Sequence, residues 1–405
     1  MLKQKGSVLH PPARIGIVGG GQLGRMLAAA AKQMGHHVTV LDPDPGSPAG
    51  QVADRQIVAG FKDVAAIREL VAATDVATYE FEHIDAEVLS TLELEGHSIC
   101  PSGTTLAMVQ DKYVQKTMLK EHGIPVPDFA AVPHFGDLLE CAVRFGYPFV
   151  LKYRKGGYDG KGNIVVRHAG QLADLRYLTD RKSLMAERYV DFERELSVVA
   201  VRSADGRTVL YPIGENVHEQ GILRITTVPA DIGTEVETRV HDTCMRVLEA
   251  ISDRGVFCIE MFLSMDGQVL VNEIAPRPHN SGHYTMEACV TSQFEQLIRV
   301  MTGQPPGSAR LRSPCAMVNI LGGETAVCDY RVEGTDKVLA QEDLHVHLYG
   351  KSSTAFLRKL GHVTVLDDCV PKAAMRCTEA LQSIRIVAGA CIAGSVAANG
   401  SSGKG

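Results

Sequence analysis

The sequence predicts an α/β protein built from three domains, and three observations lead to that prediction. Its 405 residues exceed the roughly 100 to 200 residues of one typical domain. Short strands rich in β-branched residues alternate with helical segments from Arg14 to Pro101, a pattern typical of a parallel sheet. A Gly/Pro-rich break, MTGQPPGSARL, separates a second block from a third that opens with PCAMVNILGG.

The first block predicts a Rossmann-like domain over residues 14–108. Its strand-like segments RIGIVGGG and HVTVLD flank the helical segment QLGRMLAAAAKQMG, and AAIRELVAATDVATYE adds a helix and a strand. A βαβ order of this kind makes neighbouring strands parallel. We expect residues 1–13 to form a flexible lead-in.

The second and third blocks predict a central domain over 109–308 and a small β-rich domain over 309–393. The helix DKYVQKTMLKEHG should end at Gly123, because this glycine and the two prolines that follow it are typical of a helix end. We expect a lid subdomain over about residues 150–215 of the central domain. The last segment, 394–405, has the Gly/Ser composition of a tail or linker.

Composition excludes several classes of protein. A formal net charge of -6 argues against a non-specific nucleic-acid binder, which needs excess Lys and Arg. No apolar run reaches the roughly 18 to 20 residues of a membrane span, and the N-terminus lacks a signal core. Ten cysteines are scattered without close pairs, so we expect buried free thiols and a cytoplasmic protein.

A glycine motif in the first block has two interpretations. Gly19, Gly21 and Gly24 form GxGxxG between a strand and a helix, and Asp42 follows at the distance of a ribose ligand. The motif alone favours NAD and an oxidoreductase. The alternative is a tight strand-to-helix turn that needs glycines for purely structural reasons.

A lysine followed by a glycine-rich loop marks the second block. Lys152 ends the strand-like segment YPFVLKY, and the loop that follows carries four glycines and two more lysines. Such a loop can close over polyphosphate, because glycines allow close backbone approach and lysines supply positive charge. No GKS or GKT follows, so it is not a Walker A motif, and a solvated basic hairpin is the alternative.

Carboxylates on hydrophobic strands are the strongest chemical signal. Glu260 in FCIEMF and Glu273 in VLVNEIAP flank a turn at Asp266–Gly267, so a hairpin could place both on one face beside Asn272. Two buried carboxylates need a cation, and oxygen ligands of this kind suit Mg²⁺. The alternative is an internal ion pair with Arg277 or His279.

Further polar groups surround these carboxylates in the sequence. Glu187 and Glu195 lie at and just beyond a strand end, where main-chain groups can bind adenine and a carboxylate can bind ribose. The segment after Glu273 is rich in hydrogen-bond donors and too polar for a core. Arg277 matches a carboxylate or bicarbonate in two-point geometry, and Asn280 could complete the anion site.

Taken together, the motifs resemble the ATP-grasp enzymes and, within them, the 5-(carboxyamino)imidazole ribonucleotide synthetase family. The resemblance runs from Arg14 to about Thr364 and rests on the following segments: GGGQLGRM, TYEFEHID, PSG, YRKGGYDGKGN, ENVHEQGILR, NEIAPRPHNSGH, TSQFEQ, YGK and RKLGH. It implies an ATP-grasp fold with an N-terminal Rossmann-like, pre-ATP-grasp domain and a small C-terminal domain.

The resemblance also implies an activity and its partners. The reaction would be ATP- and bicarbonate-dependent carboxylation of 5-aminoimidazole ribonucleotide through carboxyphosphate, a ligase step of purine biosynthesis that releases ADP and phosphate. The implied cofactor is Mg²⁺, with Mn²⁺ as an alternative. The implied partners are the ribonucleotide, a second subunit in a homodimer and, by analogy with fungal fusions, a mutase domain beyond the C-terminus.

Residue roles follow from the same resemblance. The implied ATP contacts are Lys112, Lys152, Tyr158, Asp159, Gly160, Lys161, Gly162, Asn163, Glu187, Arg188, Tyr189, Val190, Glu195, His218, Asn272 and Glu273. The implied metal ligands are Glu260 and Glu273. The implied catalytic residues are Asp159, which would handle the amine proton, Arg277, Asn280 and Lys351. The implied ribonucleotide contacts are Gly21, Gln22, Leu23, Glu80, Tyr158, Arg277, Lys351 and Arg358.

One segment departs from the family pattern. Between Lys351 and Arg358 the sequence reads SSTAFL, where relatives usually carry a further basic residue and a proline. We therefore expect either weaker binding of the substrate phosphate by this segment or substitution of the missing basic residue by another cation such as Lys359. Other ATP-grasp ligases, namely a formate-dependent glycinamide ribonucleotide transformylase or a biotin carboxylase-like enzyme, are alternatives that TYEFEHID and YGK argue against.

Overall fold

The N-terminal part of the chain contains a parallel sheet with the strand order β3-β2-β1-β4. A computed structural model describes residues 8–157, 162–323 and 326–391. The elements of this part are β1 (Arg14–Val18), α1 (Gln22–Gln33), β2 (His37–Leu41), β3 (Arg55–Ile57), α2 (Val64–Ala73), β4 (Val76–Tyr79), α3 (Ala86–Leu94) and α4 (Gly103–Gln110). The alternation of strands and helices predicted for residues 14–108 is confirmed.

A separate antiparallel sheet with the order β5-β8-β6-β7 forms the lid. The elements here are α5 (Lys112–Glu121), β5 (Phe129–Val132), α6 (Phe135–Phe145), β6 (Phe149–Tyr153), β7 (Asn163–Val166), α7 (Leu172–Thr179) and β8 (Leu184–Arg188). This sheet spans residues 129–188, whereas the expected lid subdomain covers about residues 150–215. Residues from Phe192 onward pair with the large sheet, because their long hydrophobic strand is buried there.

A large antiparallel sheet forms the floor below the lid, in the order β14-β13-β9-β11-β12-β15-β18-β17, with β10 paired to β9. Its elements from the central domain are β9 (Phe192–Arg202), β10 (Thr208–Leu210), β11 (Gly214–Glu219), β12 (Ile222–Val228), α8 (Thr234–Ile251), β13 (Gly255–Ser264), β14 (Val269–Ala275), α9 (Thr285–Ala288) and α10 (Gln293–Met301). Helix α8 packs on one face through Val240, Cys244 and Val247.

The C-terminal part continues the same sheet. Its elements are β15 (Cys315–Leu321), β16 (Cys328–Glu333), α11 (Thr335–Leu339), β17 (Leu344–Leu348), β18 (Lys359–Leu366), α12 (Val370–Ser383) and β19 (Arg385–Cys391). Strand β15 pairs with β12, so the sheet crosses the predicted boundary at residue 308 without interruption. Strands β16 and β19 form a small separate ribbon.

Most cysteines fit the expectation of buried free thiols, with two exceptions among the described residues: Cys369 is free but only half-buried, and Cys328 is not free. Among the described residues, Cys100, Cys141, Cys244, Cys258, Cys289, Cys315 and Cys377 are free and buried. Cys328 differs, because it is disulfide-bonded. The expectation of free thiols throughout the chain is therefore wrong at that position, since the fold of β16 and β19 was not visible in the cysteine spacing.

The membrane expectation can be examined on the described helices. Within residues 8–157, 162–323 and 326–391, no helix is both long and apolar enough to cross a membrane. Three groups of predictions lie outside the described residues: the first seven residues of the lead-in, the tail at 394–405, and the loop residues Tyr158, Asp159, Gly160 and Lys161.

Candidate active site

A cavity of about 350 Å³ opens between the lid and the large sheet. Most of the residues expected to bind ATP, metal or bicarbonate line it. These are Lys112, Lys152, Asn163, Glu187, Arg188, Tyr189, Val190, Glu195, His218, Glu260, Asn272, Glu273, Arg277 and Asn280. They come from distant parts of the chain, so the fold has brought together a set that the sequence left scattered.

Lys112 and Lys152 are held side by side by hydrogen bonds that their neighbouring residues form. Asp111 caps α5 by accepting from the Tyr113 amide at 3.0 Å, and it also accepts from both Nε and Nη2 of Arg154, at 3.0 and 2.7 Å. The Lys112 amide donates to the Arg154 carbonyl at 2.9 Å. Because Arg154 follows Lys152 by two residues and lies just beyond the end of β6, these bonds set Lys112 beside Lys152.

Lys152 forms an ion pair with the buried carboxylate of Glu187. Its Nζ lies 2.7 Å from Oε2 of Glu187, which is 3% exposed. The ammonium of Lys116 lies 3.5 Å from the other oxygen, Oε1. Burial opposes ionisation of Glu187, but the two lysines outweigh it and lower the pKa of Glu187 to about 2. Glu187 is therefore an ionised side chain that orients cations, while Tyr189 and Val190 after it line the cavity.

The predicted carboxylate hairpin is confirmed. Strands β13 and β14 pair with Glu260 directly opposite Glu273, so both side chains lie on the same face. The register shifts between Glu260 and Met261, which leaves Asn272 as the extra residue of a β-bulge. Side chains of successive strand residues normally point to opposite faces, yet Asn272 and Glu273 both line the cavity. The bulge accounts for that arrangement.

The two carboxylates differ in their partners. Lys112 forms a close ion pair with Glu273. Desolvation opposes the charge on Glu273, but Lys112 outweighs it and lowers the pKa of Glu273. Burial together with the nearby Glu273 raises the pKa of Glu260 to about 7, against the attraction of His218. Glu260 has a long contact with Nδ1 of His279, at 3.9 Å, but burial and nearby positive charge lower the pKa of His279 well below its ordinary value, so that ring is a weak cationic partner. The oxygens of Glu260 therefore fit a divalent cation.

Arg277 and Asn280 lie next to these carboxylates. The Arg277 guanidinium contacts Glu82 in two-point geometry, with Nε 2.8 Å from Oε1 and Nη2 donating to Oε2 at 3.1 Å. Asn280 is buried, and neither its amide nitrogen nor its amide oxygen has a hydrogen-bond partner in the described residues. An unpartnered buried amide facing a cavity fits a polar ligand.

The lining also includes Glu195 and His218, the residues expected to contact the ribose and base of a nucleotide. Glu195 forms a close hydrogen bond with Nδ1 of His218. Desolvation opposes protonation, but Glu195 raises the pKa of His218. The stacked rings of Phe192 and Phe262, with centroids 4.8 Å apart, add an apolar surface to this lining.

Backbone amides of the glycine motif donate hydrogen bonds to carboxylates of the protein itself. The amides of Gly21 and Gly24 donate to the two oxygens of Glu80, at 2.5 and 2.6 Å, and the Gly20 amide donates to Asp42 at 2.8 Å. A Cβ on Gly21 would lie 2.7 Å from Glu80, which explains the glycine. The NAD interpretation is therefore wrong, because these amides and Asp42 are already paired within the protein.

The residues expected to bind the ribonucleotide come from two places, the start of α1 and the loop around Lys351. Gln22 opens α1 half-buried, but the Leu23 side chain is in the hydrophobic core, so only its amide faces outward from the helix start. Lys351 lies close enough to buried Glu80 to lower its pKa in part, although burial raises that pKa overall. The loop before Lys351 contacts the first domain, since Gln51 donates to the Gly350 carbonyl at 2.7 Å.

The segment between Lys351 and Arg358, which departs from the family pattern, forms a hydrogen bond of its own. Arg358 donates through Nη1 to Oγ of Ser353 at 2.6 Å, so the unusual serine orients the arginine. Lys359, the possible substitute, lines the cavity between the two sheets. The turn at Leu357 has a positive φ of 59°. Arg358 and Lys359 therefore start from the same turn but only Lys359 is placed among the cavity residues.

Sequence reasoning missed two charged residues of this region, Glu82 and Lys116, and one amide residue, Gln115. Glu82 follows Glu80 by two positions in the quoted motif TYEFEHID, and it binds Arg277. Lys116 follows Lys112 by four positions, a spacing that places both on one helix face. Gln115 pairs with the backbone of Ile274. The spacing of Lys116 was a usable signal, whereas the partner of Gln115 depends entirely on tertiary structure.

Comparison with known protein families defines the class. Residues 117–294 match the ATP-grasp domain, residues 13–110 match the ribonucleotide synthetase preATP-grasp domain, and residues 315–376 match the phosphoribosylaminoimidazole carboxylase C-terminal domain. The protein is therefore an ATP-grasp protein with all three parts of the predicted fold, and that prediction is confirmed.

Individual relatives narrow the class. The N5-carboxyaminoimidazole ribonucleotide synthase of Bacillus subtilis is 40% identical over 360 residues, which cover 89% of this chain and 93% of the relative. The crystal structure of the Thermotoga maritima synthetase has a TM-score of 0.84 and 44% identity, covering 93% of this chain and 100% of that one. The chain belongs to the N5-carboxyaminoimidazole ribonucleotide synthase family.

A third relative was solved with ligands. The Aspergillus clavatus synthase, in complex with ADP and 5-aminoimidazole ribonucleotide, has a TM-score of 0.84 and 31% identity. The alignment covers 91% of this chain and 98% of that one. These relatives favour this family over the transformylase and biotin carboxylase alternatives.

Proposed function

We propose that this protein carboxylates the exocyclic amine of 5-aminoimidazole ribonucleotide with ATP and bicarbonate, forming the N5-carboxyamino product, ADP and phosphate in purine biosynthesis. The observation that carries the proposal is the cavity that gathers Lys112, Lys152, Glu260, Glu273 and Arg277 in a chain of this family. Family membership and a relative crystallised with ADP and the ribonucleotide support it.

ATP would enter between the lid and the large sheet. Its adenine would meet the main chain from Glu187 to Val190, and its ribose would meet Glu195 and His218. Lys112 and Lys152 would neutralise phosphate oxygens, which is the main requirement of phosphoryl transfer. Lys112 must first leave Glu273, so nucleotide binding would exchange one ion pair for another.

Mg²⁺ is the proposed cofactor, with Mn²⁺ as an alternative. Glu260 and Glu273 fit it because they face each other across the hairpin and are hard oxygen ligands. When bound, the metal held by Glu260 and Glu273 would supply positive charge that stabilises the negative charge developing during phosphoryl transfer. Asn272 would lie beside the same ligands.

Bicarbonate would bind at Arg277 and Asn280. An oxygen of bicarbonate would bond to the γ-phosphorus of ATP while the bond to the β-phosphate oxygen breaks, giving carboxyphosphate and ADP. Glu82 orients the Arg277 fork and leaves further N–H groups for the anion. The buried Asn280 amide, unpartnered in the described residues, would donate a further hydrogen bond to the anion.

The second step would transfer the carboxyl group. The exocyclic amine nitrogen bonds to the carboxyl carbon, the bond from that carbon to the phosphate oxygen breaks, and the amine loses a proton. Asp159 is the proposed acceptor of that proton, and Tyr158 would lie beside the substrate. The 5′-phosphate of the ribonucleotide would bind near the start of α1, with Lys351 and Arg358 as cations.

Phosphate release measured with substrates omitted one at a time tests the proposal. Turnover should require Mg²⁺ and bicarbonate and increase with 5-aminoimidazole ribonucleotide, and the product should gain the mass of one carboxyl group. Formate in place of bicarbonate and NADH in place of ATP are the arms for the alternatives. Formate-dependent turnover, or oxidation of NADH without ATP hydrolysis, would contradict the proposal.

Three further expectations accompany the proposal as predictions. They are a homodimer, a cytoplasmic location and a mutase domain fused in the full-length protein. Light scattering on the purified protein tests the first of these.

A further inference from the structure

Helix α5 is joined to the edge of the large sheet by a side-chain amide. Strand β14 lies at the end of the sheet order, so one side of its backbone is not paired by another strand. There the amide of Ile274 donates to Oε1 of Gln115 at 3.0 Å, and Nε2 of Gln115 donates back to the Ile274 carbonyl at 3.2 Å. The Gln115 side chain thus pairs with the strand edge much as a neighbouring strand would.

A buried lysine makes the second connection. Lys116 is 1% exposed, and its Nζ donates to the Val271 carbonyl at 3.0 Å. The same ammonium lies 3.5 Å from Glu187 on lid strand β8. A buried lysine costs desolvation energy, so a position occupied by one needs compensating contacts. Lys116 finds them on two different sheets that both border the cavity.

The two connections flank the bulge of β14. Val271 precedes Asn272, and Ile274 follows Glu273, so Gln115 and Lys116 hold the backbone on either side of the two cavity residues. A one-residue slip of a strand turns each side chain to the opposite face. The bulge must stay in place for Asn272 and Glu273 to face the cavity together.

We infer that Gln115 and Lys116 are positioning residues for the nucleotide and metal site. They fix the bulged edge of β14 so that Asn272 and Glu273 point into the cavity, and Lys116 also holds Glu187 against Lys152. This inference rests on the proposed function, because it assigns the orientation of the ligands that ATP and Mg²⁺ would use. Neither residue lines the cavity itself.

Binding of ADP as a function of Mg²⁺ concentration, measured by calorimetry, tests the inference without using the acceptor. Lys116→Met removes the charge at similar length, Gln115→Leu removes both amide contacts, and Lys116→Arg restores a cation. Lys120→Met, on the exposed end of the same helix, is the matched control. Circular dichroism confirms that each variant is folded.

The expected results differ between the variants. Lys116→Met should weaken Mg²⁺-dependent ADP binding about tenfold or more, as loss of residues that orient metal ligands commonly does. Gln115→Leu should raise the Mg²⁺ requirement without the additional loss that comes from Glu187. Lys116→Arg should recover part of the affinity, and Lys120→Met should stay within about twofold of the parent protein. KM for the ribonucleotide should stay nearly constant in all four.

Two outcomes would overturn the inference. One is wild-type ADP and Mg²⁺ binding in folded Lys116→Met and Gln115→Leu proteins. The other is a uniform loss of affinity for all ligands that tracks unfolding and is not relieved by Lys116→Arg. If the parent protein lacks bicarbonate-dependent turnover but the variants still weaken ADP binding, the proposed function fails while the positioning role stands.

Discussion

The glycine loop of the first domain and the nucleotide cavity of the central domain both concentrate backbone or side-chain groups that could bind phosphate. In the glycine loop, Glu80 and Asp42 accept from the amides of Gly20, Gly21 and Gly24, so those donors are used internally. In the cavity, cations and carboxylates from distant segments form close ion pairs, but the buried amide of Asn280 has no partner among the described residues. The difference shows that the partners of a motif decide what it binds.

The groups left over in the cavity make that contrast concrete. Both amide atoms of Asn280 lack partners in the described residues, and Glu260 has its pKa raised to about 7 by burial and the neighbouring Glu273. Unsatisfied polar atoms are costly inside a protein. A binding site can retain them because its ligand satisfies them, whereas the glycine loop has no such excess among its described contacts.

The largest effect should come from removing a carboxylate of the cavity. Glu273→Gln should lower kcat by about 100-fold or more, because it removes a proposed metal ligand and the partner of Lys112. Mg²⁺-dependent phosphate release measures the effect. The fold should persist, and Glu249→Gln, an exposed change on α8, should leave turnover unchanged. Full activity in Glu273→Gln would remove this residue from the site.

A smaller effect should come from opening the glycine loop. Glu80→Gln places an amide group against backbone N–H groups, which should lower the free energy of unfolding by about 1 to 3 kcal/mol. KM for the ribonucleotide should rise about tenfold, equivalent to about 1.4 kcal/mol, while KM for ATP stays nearly constant. Steady-state kinetics with each substrate varied separates the two regions.

Equal changes in both KM values after Glu80→Gln would contradict the separation of the two regions. Binding of NADH by the variant would instead support the role of Glu80, because it would mean that the amides released from Glu80 can serve a dinucleotide. Fluorescence titration with NADH checks this second point.

The smallest effect concerns two buried histidines, His283 and His362. The rings of His283 and His362 have centroids 4.6 Å apart and planes tilted by 32°, and the hydroxyl of Tyr349 hydrogen-bonds to Nδ1 of His362 at 2.9 Å. Burial, with nearby positive charge, lowers the pKa of both histidines well below the ordinary value of 6.5. Both are therefore neutral in the folded protein at neutral pH.

Acid should therefore destabilise the protein through these histidines. Their folded pKa values are lowered, so the unfolded chain binds protons first, and stability falls as the pH drops below about 6.5. Each histidine contributes a slope of up to about 1.4 kcal/mol per pH unit. Urea unfolding at several pH values measures it. His362→Gln should make the slope shallower, exposed His168→Gln should not, and identical slopes would contradict the prediction.

Local patterns determined a large share of the fold and part of the site. Alternating strands and helices from Arg14 predicted the parallel sheet, and two hydrophobic strands around Asp266–Gly267 predicted the hairpin that pairs Glu260 with Glu273. These features depend on side-chain periodicity and turn residues, which are properties of neighbouring positions. The sequence predicted these features correctly because they depend on local patterns and contacts with distant residues do not change them.

Contacts between distant residues were decided only by the tertiary structure. The pairing of Gly21 with Glu80 changed the meaning of a nucleotide-binding motif, and the bond between Gln115 and Ile274 joins positions 159 residues apart. Extension of the large sheet across residue 308 belongs to the same class. Such contacts arise from packing of whole elements, because a side chain's partner depends on which surface the fold brings against it.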